Sequence, residues 1–217
     1  MRTYGIWICG CILLVSACKS PLDIDTPRER DTDDTTGRQD TASAVSIALV
    51  FDASGSMSGR GVAVAKYGAA VFVDSLNGTT DEAYVMWAAT TPRIVQTMTH
   101  RRDSLRRWVD SLYALGVSAV HDALYAAILE LDTRAKNDSV ALIYFTNGDD
   151  NSSSHSPQDV ISLAQARRVP LYIIGFGDQY TEPLYWNMAL MTGGGYFHVS
   201  TEFWCRDAYL SILRRLR

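Results

Sequence analysis

The chain has 217 residues, enough for one sizeable domain plus tails. Its 20 basic and 24 acidic side chains give a formal charge of −4, which removes any electrostatic basis for a nucleic-acid or anionic-membrane partner. Apolar residues make up 47% of it, with five Trp and eleven Tyr, so the chain can bury a core.

The N-terminus does not read as fold. Arg2 supplies a positive start, and Tyr4 to Ala17 is an apolar run. That run is shorter than the roughly 20 residues a bilayer-spanning helix needs. A charged start, a short apolar stretch and small residues before a break describe a secretory signal. The break, Val15-Ser16-Ala17-Cys18, resembles the bacterial lipobox, which implies cleavage before Cys18 and lipidation of its thiol. An ordinary signal with a chance Cys is the alternative. The resemblance implies a lipid-anchored protein of the cell envelope. Lys19 and Ser20 are not the Asp that retains lipoproteins at the inner membrane, so it implies the outer membrane if the cell is Gram-negative. Cys9 and Cys11 would leave with residues 1–17, Cys18 would carry lipid, and Cys205 alone would remain, expected buried in a helix.

Residues 18–42 read as an acidic tether. Asp23, Asp25, Asp31, Asp33, Asp34 and Asp40 stand among Thr, Arg and Pro with little to bury. Asp31-Thr32-Asp33 is a poor calcium loop, because Thr35 and Thr36 stand where Asp or Asn and then Gly are needed. The domain is expected over 43–217. Val45 to Phe51 is a continuous apolar run, as in a strand buried on both faces. Val62 to Leu76 reads as a helix, Ala83 to Ala89 as a second buried run, and Arg93 to Met98 as a more exposed strand at an edge. Leu105, Trp108, Val109, Leu112 and Leu115 have helical spacing, as do Val120, Leu124, Ile128 and Leu131. Val140 to Phe145 and Leu171 to Phe176 are further core strands. Between them Ser156-Pro157-Gln158-Asp159 opens a helix with a capping Ser, a first-turn Pro and an acid at the positive end. Tyr196 to Val199 is a short last strand, and Trp204, Ala208, Ile212 and Leu216 stripe a final helix. Strands alternating with helices predict a mostly parallel sheet covered on both faces, with ligands at the strand ends.

The first strand ends in Asp52-Ala53-Ser54-Gly55-Ser56-Met57. One carboxylate and two hydroxyls at alternate positions, on a turn that Gly55 lets fold sharply, form a hard-oxygen cluster. Such donors suit Mg²⁺ or Mn²⁺ better than zinc or copper, which favour His and Cys. Asp52-x-Ser54-x-Ser56 resembles the metal-ion-dependent adhesion site of von Willebrand factor type A domains. Gly116-Val117-Ser118 leading into Asp122-Ala123-Leu124 is similar to the second site loop of that family, and Phe145-Thr146-Asn147-Gly148 to the third. The resemblance covers roughly residues 43–217 and implies a three-layer α/β/α fold, doubly wound, with a mostly parallel sheet and one antiparallel edge strand. It implies that Asp52, Ser54, Ser56, Ser118 and Asn147 hold a divalent cation: Mg²⁺, with Mn²⁺ and Ca²⁺ as alternatives. It further implies a protein partner that offers a Glu or Asp carboxylate to the ion.

Two positions depart from the family pattern. Ser118 replaces a Thr and keeps the hydroxyl. Asn147 replaces an Asp and removes a full charge, and cation affinity follows ligand charge. Asp149 and Asp150 are the acids available to compensate. Four scattered His residues supply no nucleophile–base pair, Gly175-Phe176-Gly177 lacks the third glycine of a dinucleotide loop, and no Gly-x-Ser-x-Gly elbow occurs. His121 reads as a surface or helix-start residue. The aromatics from Tyr180 to Trp186 either pack or rim the site. The expectation is a non-catalytic binding module. A metal-dependent hydrolase and a metal-free scaffold subunit of an envelope complex are the alternatives.

Overall fold

The computed structural model describes residues 43–114, 116–148, 150–177 and 182–217. The expected signal, Cys18 and the acidic tether lie outside the described residues. Six strands form one sheet in the order β3-β2-β1-β4-β5-β6: β1 Val45–Asp52, β2 Glu82–Ala88, β3 Arg93–Thr99, β4 Ser139–Thr146, β5 Leu171–Phe176 and β6 Gly195–Val199. All neighbours are parallel except β2 and β3. The expected α/β/α architecture with an antiparallel edge strand is therefore present.

Side-chain alternation along β1 splits the core into two layers. Val45, Ile47, Leu49 and Phe51 pack with α1 (Arg60–Ser75), α2 (Arg102–Asp110) and α6 (Glu202–Leu216). Ala48 and Val50 pack on the other face with α3 (Val120–Arg134), α4 (Pro157–Arg167) and α5 (Glu182–Met191). Both faces being covered explains why β1, β2 and β5 read as unbroken apolar runs. β3 reads differently because it is an edge, and all seven of its residues keep some exposure.

Three local expectations are corrected. The helical spacing through Leu112 does not continue as helix. α2 ends at Asp110, where the Ser111 hydroxyl donates to Trp108 O (2.9 Å). Leu112 is still buried, from an irregular segment, and Leu115 lies outside the described residues. The core stripe of α6 is Cys205, Ala208, Tyr209, Ile212 and Leu213, whereas Trp204 is 57% exposed. Glu182–Met191 forms a helix that the sequence pattern did not announce, because its apolar residues have no helical periodicity. Its Tyr185 packs in the core while Trp186 is exposed; Tyr180 lies outside the described residues. The capped start of α4 is as expected: Ser156 and Asp159 bond each other's backbone amides.

The strand order reverses direction at β1. Its neighbours β2 and β4 are reached by connections on opposite faces of the sheet, so the chain leaves a crevice at the carboxyl ends of β1 and β4. Asp52 ends β1 and Thr146 ends β4.

Candidate metal centre at the strand ends

Three loops meet at this crevice. The first runs from Asp52 to Gly59 and includes a short 3₁₀ turn over Gly55–Met57. The second, 116–119, enters α3. The third, 147–156, follows β4. Hydrogen bonds tie each to the others. Gly55 N donates to Gly116 O (3.0 Å), Asn151 N donates to Ser118 O (3.1 Å), and Ser56 Oγ donates to Asn147 Oδ1 (2.9 Å). Gly116 takes a positive φ of 92°, and a Cβ there would stand 2.8 Å from Thr90 Oγ1, which accepts from Val117 N. Only glycine fits that close approach.

Asp52 is fully buried. Its Oδ1 accepts from Ser54 N (2.8 Å) and its Oδ2 from Thr146 Oγ1 (2.8 Å). Burial pushes its carboxyl above the ordinary value, and hydrogen bonds from Ser54, Thr146 and the Asn147 backbone offset this only in part. No basic side chain is among the groups acting on it. The result is a desolvated acid without a counter-charge among the described residues.

From Asp52 the oxygens continue outward. Ser54 Oγ and Ser56 Oγ are 3.0 Å apart. Asn147 closes on Ser56 at two points: its Oδ1 accepts from the hydroxyl, and its Nδ2 donates to Ser56 O (2.8 Å). Oxygens at adjacent corners of an octahedron with bonds of about 2.0–2.1 Å lie about 2.9 Å apart. The observed spacings match that edge as well as they match hydrogen bonds. Ser118 is buried, and its Oγ has no partner among the described residues. Its backbone is held instead, with N donating to Asn151 Oδ1 (3.1 Å) and O accepting from Asn151 N and Ser152 Oγ. A buried hydroxyl without a partner is costly, and a hard cation is a species that would use it. The oxygen donors, one buried acid and one orphaned hydroxyl fit such an ion chemically.

Thus Asp52, Ser54, Ser56 and Asn147 are linked directly, and Ser118 joins them on a loop bonded to both of the others. Asp150 is turned to a different task. Its Oδ1 accepts from Val120 N (2.9 Å) and Ser153 Oγ (2.8 Å), and its Oδ2 meets His121 Nδ1 at 2.8 Å. It therefore binds the third loop to the start of α3. Asp149 lies outside the described residues. His121 does start a helix, but it is buried, with Nε2 lacking a partner among the described residues.

The roles of several supporting residues escaped the sequence reading. Thr146 holds Asp52 and also bonds both polar groups of the Gly148 backbone. In the sequence it stands in the segment that resembles the third site loop, without a role of its own. Asp122 accepts from the amides of Ser154 and His155 and from His155 Nδ1 (2.6 Å), and the His155 ring stacks on Tyr125 with centroids 3.9 Å apart. Partial burial pushes Asp122 upward, but the two amides and the His155 ring outweigh it and hold the carboxyl below its ordinary value. Nothing in the spacing of residues 122 and 155 marks them as neighbours. Tyr185 of α5 steadies the same loop by donating to Gly148 O (2.9 Å).

Comparison with known proteins agrees with this geometry. Residues 46–204 match the family model described as von Willebrand factor type A domain. The chain is 26% identical over 161 residues to human inter-alpha-trypsin inhibitor heavy chain H4, a match covering 68% of this chain and 17% of that protein. Among solved structures, a von Willebrand factor type A protein from Catenulispora acidiphila superposes with a TM-score of 0.71 at 19% identity, covering 80% of this chain and 43% of its own. Proximal thread matrix protein 1 from the mussel byssus, with a zinc-occupied MIDAS motif, superposes with a TM-score of 0.69 at 22% identity, covering 80% of this chain and 46% of its own. The chain therefore spans less than half the length of each of these relatives. With the family model covering most of its length, the chain belongs to the von Willebrand factor type A domain family.

Proposed function

We propose that this protein is a non-catalytic binding module of the cell envelope that captures a protein partner through a divalent cation. Asp52, Ser54, Ser56, Ser118 and Asn147 would hold the ion, which supplies an open coordination position for a Glu or Asp carboxylate of the partner. The observation that carries this reading is the pairing of a buried, uncompensated Asp52 with an orphaned Ser118 hydroxyl, on loops tied to one another. The family consists mostly of interaction modules, which supports a binding role over hydrolysis. Mg²⁺ is the proposed ion, with Mn²⁺ or Ca²⁺ as further hard cations. A related protein carries zinc at its corresponding motif; here the linked donors are all oxygens, which favours a harder ion.

Attachment through a lipidated Cys18 and the acidic tether belongs to the same proposal, resting on the lipobox-like residues 15–18. Calorimetric titration of the chelator-treated chain with Mg²⁺ tests the cation. Saturable heat that Ser118→Ala weakens is the expected result, and no heat with Mg²⁺, Mn²⁺ or Ca²⁺ would leave a metal-free scaffold. Cys18→Ser is expected to release the protein from the membrane fraction; continued membrane association would overturn the anchor.

A further inference from the structure

Beside the first site loop lies a hollow of about 120 Å³, lined by Ala53, Trp87, Ala89, Thr91, Arg93 and Tyr113. Ala53 sits between Asp52 and Ser54 in the chain, so this hollow borders the loop that carries the oxygen cluster. Its walls are aromatic. Tyr113 stands edge-on to Trp87 with centroids 5.0 Å apart, and Trp108 backs Trp87 at 6.2 Å. Trp87 is almost wholly buried, yet its Nε1–H has no acceptor among the described residues. An indole N–H in such a place ordinarily finds one.

Tyr113 is 52% exposed, an unusual position for an aromatic ring that walls a cavity. On its other side a second, wider hollow of about 480 Å³ is lined by Ser58, Gly59, Val62, Lys66, Leu112 and neighbouring residues. Val117, next to Ser118, is 49% exposed. The surface beside the oxygen cluster is therefore apolar, grooved and divided by one aromatic side chain. Its charge is one-signed. Arg93 stands at one hollow and Lys66 at the other, neither has an ion-pair partner among the described residues, and no acidic residue lines either hollow.

We propose that the hollow between Trp87 and Tyr113 is a specificity pocket for an aliphatic side chain adjacent to the carboxylate residue of the partner, with Arg93 and Lys66 receiving further acidic groups of the same extended segment. This rests on the cation reading above and deepens it by naming the partner's chemistry. An apolar cavity of roughly 150 Å³ holds a benzene, so this one suits a Leu or Val side chain better than a second Trp. Arg93 lines one and Lys66 the other of two hollows that share Tyr113, so an acidic, extended segment matches them in charge.

The test uses the full chain in detergent with millimolar Mg²⁺ and a fluorescein-labelled acidic peptide, GEGLDGE, followed by anisotropy. Two control peptides replace Leu by Gly or Asp by Asn. The Gly control is expected to bind roughly tenfold more weakly, the factor that burial of one Leu carries. In Tyr113→Ala, an exposed position where the fold should persist, the Leu and Gly peptides should bind alike. Arg93→Glu should weaken both. The Asn control and EDTA should abolish binding in every variant, because they act on the ion. If the Leu and Gly peptides bind wild type equally while the Asp and Mg²⁺ requirements persist, the pocket is overturned and the cation reading stands. A Leu preference unchanged by Tyr113→Ala also overturns it, and so do peptide affinities unchanged by Arg93→Glu. Absence of binding by any peptide overturns it as well, and the Mg²⁺ titration then shows separately whether the cation reading falls too.

Discussion

Replacing Asp52 by Asn removes the buried charge while keeping the shape. The Asn oxygen can accept from Ser54 N, as Oδ1 does now. Its amide can donate to Thr146 Oγ1, whose own proton already has a second acceptor in Gly148 O. These two hydrogen bonds are kept and the charge is lost. Burial raises the Asp52 carboxyl above its unfolded value, so the native chain holds that proton more tightly than the unfolded chain does. Stability from this group is therefore highest below the unfolded value. It falls as pH rises through the window up to the native value, and it stays reduced at neutral pH. A change of about 1 kcal/mol moves the midpoint of a domain of this size by roughly 2–4 °C. In EDTA at pH 7, Asp52→Asn is thus expected to melt a few degrees above wild type. Mg²⁺ at 100 times its Kd should stabilise wild type by about 2.7 kcal/mol and leave the variant unmoved, so their order reverses. Differential scanning calorimetry at pH 3.5, 5 and 7, with and without Mg²⁺, reads all of this. A variant less stable than wild type in EDTA at pH 7, or one that Mg²⁺ still stabilises, would refute the reasoning.

Asn147→Asp restores a charge beside the cluster but deletes the Nδ2 donor to Ser56 O. It is expected to lower stability in EDTA by about 1 kcal/mol and to tighten Mg²⁺ binding roughly tenfold, since affinity follows ligand charge; an unchanged Mg²⁺ isotherm would mean that residue 147 does not act on the ion. Asp122→Ala removes the acceptor of two amides and the His155 ring. It should cost about 2 kcal/mol at pH 7, and the loss should vanish as pH falls below about 3.8, because a depressed carboxyl contributes only while ionised. Thermal melts across that range check it, and a pH-independent loss would point to packing of the His155–Tyr125 stack instead.

The sequence determined the fold class and the first site loop by itself. Strands such as Val45–Asp52 are buried on both faces, and that condition writes itself locally as an unbroken apolar run. Asp52, Ser54, Ser56 and Gly55 were legible because they share one turn, and Ser156 and Asp159 because a capping box spans three residues. Local spacing also misled where tertiary contacts override it. Leu112 keeps helical spacing from Leu105 but is buried from a loop, and Trp204 keeps step with Ala208 while facing solvent.

What only the tertiary structure decided lies between segments. Asp150 could be read from sequence as a spare ligand. In the fold its oxygens belong to Val120, His121 and Ser153, thirty residues or a few apart in sequence. Thr146 reaches Asp52 across 94 positions, Asp122 reaches His155 across 33, and Tyr113 meets Trp87 beside the oxygen cluster. Sequence encodes which side chains can bond. Strand order and loop closure decide which of them stand within three ångströms, because a hydrogen bond or a coordinating contact depends on distance rather than on position along the chain.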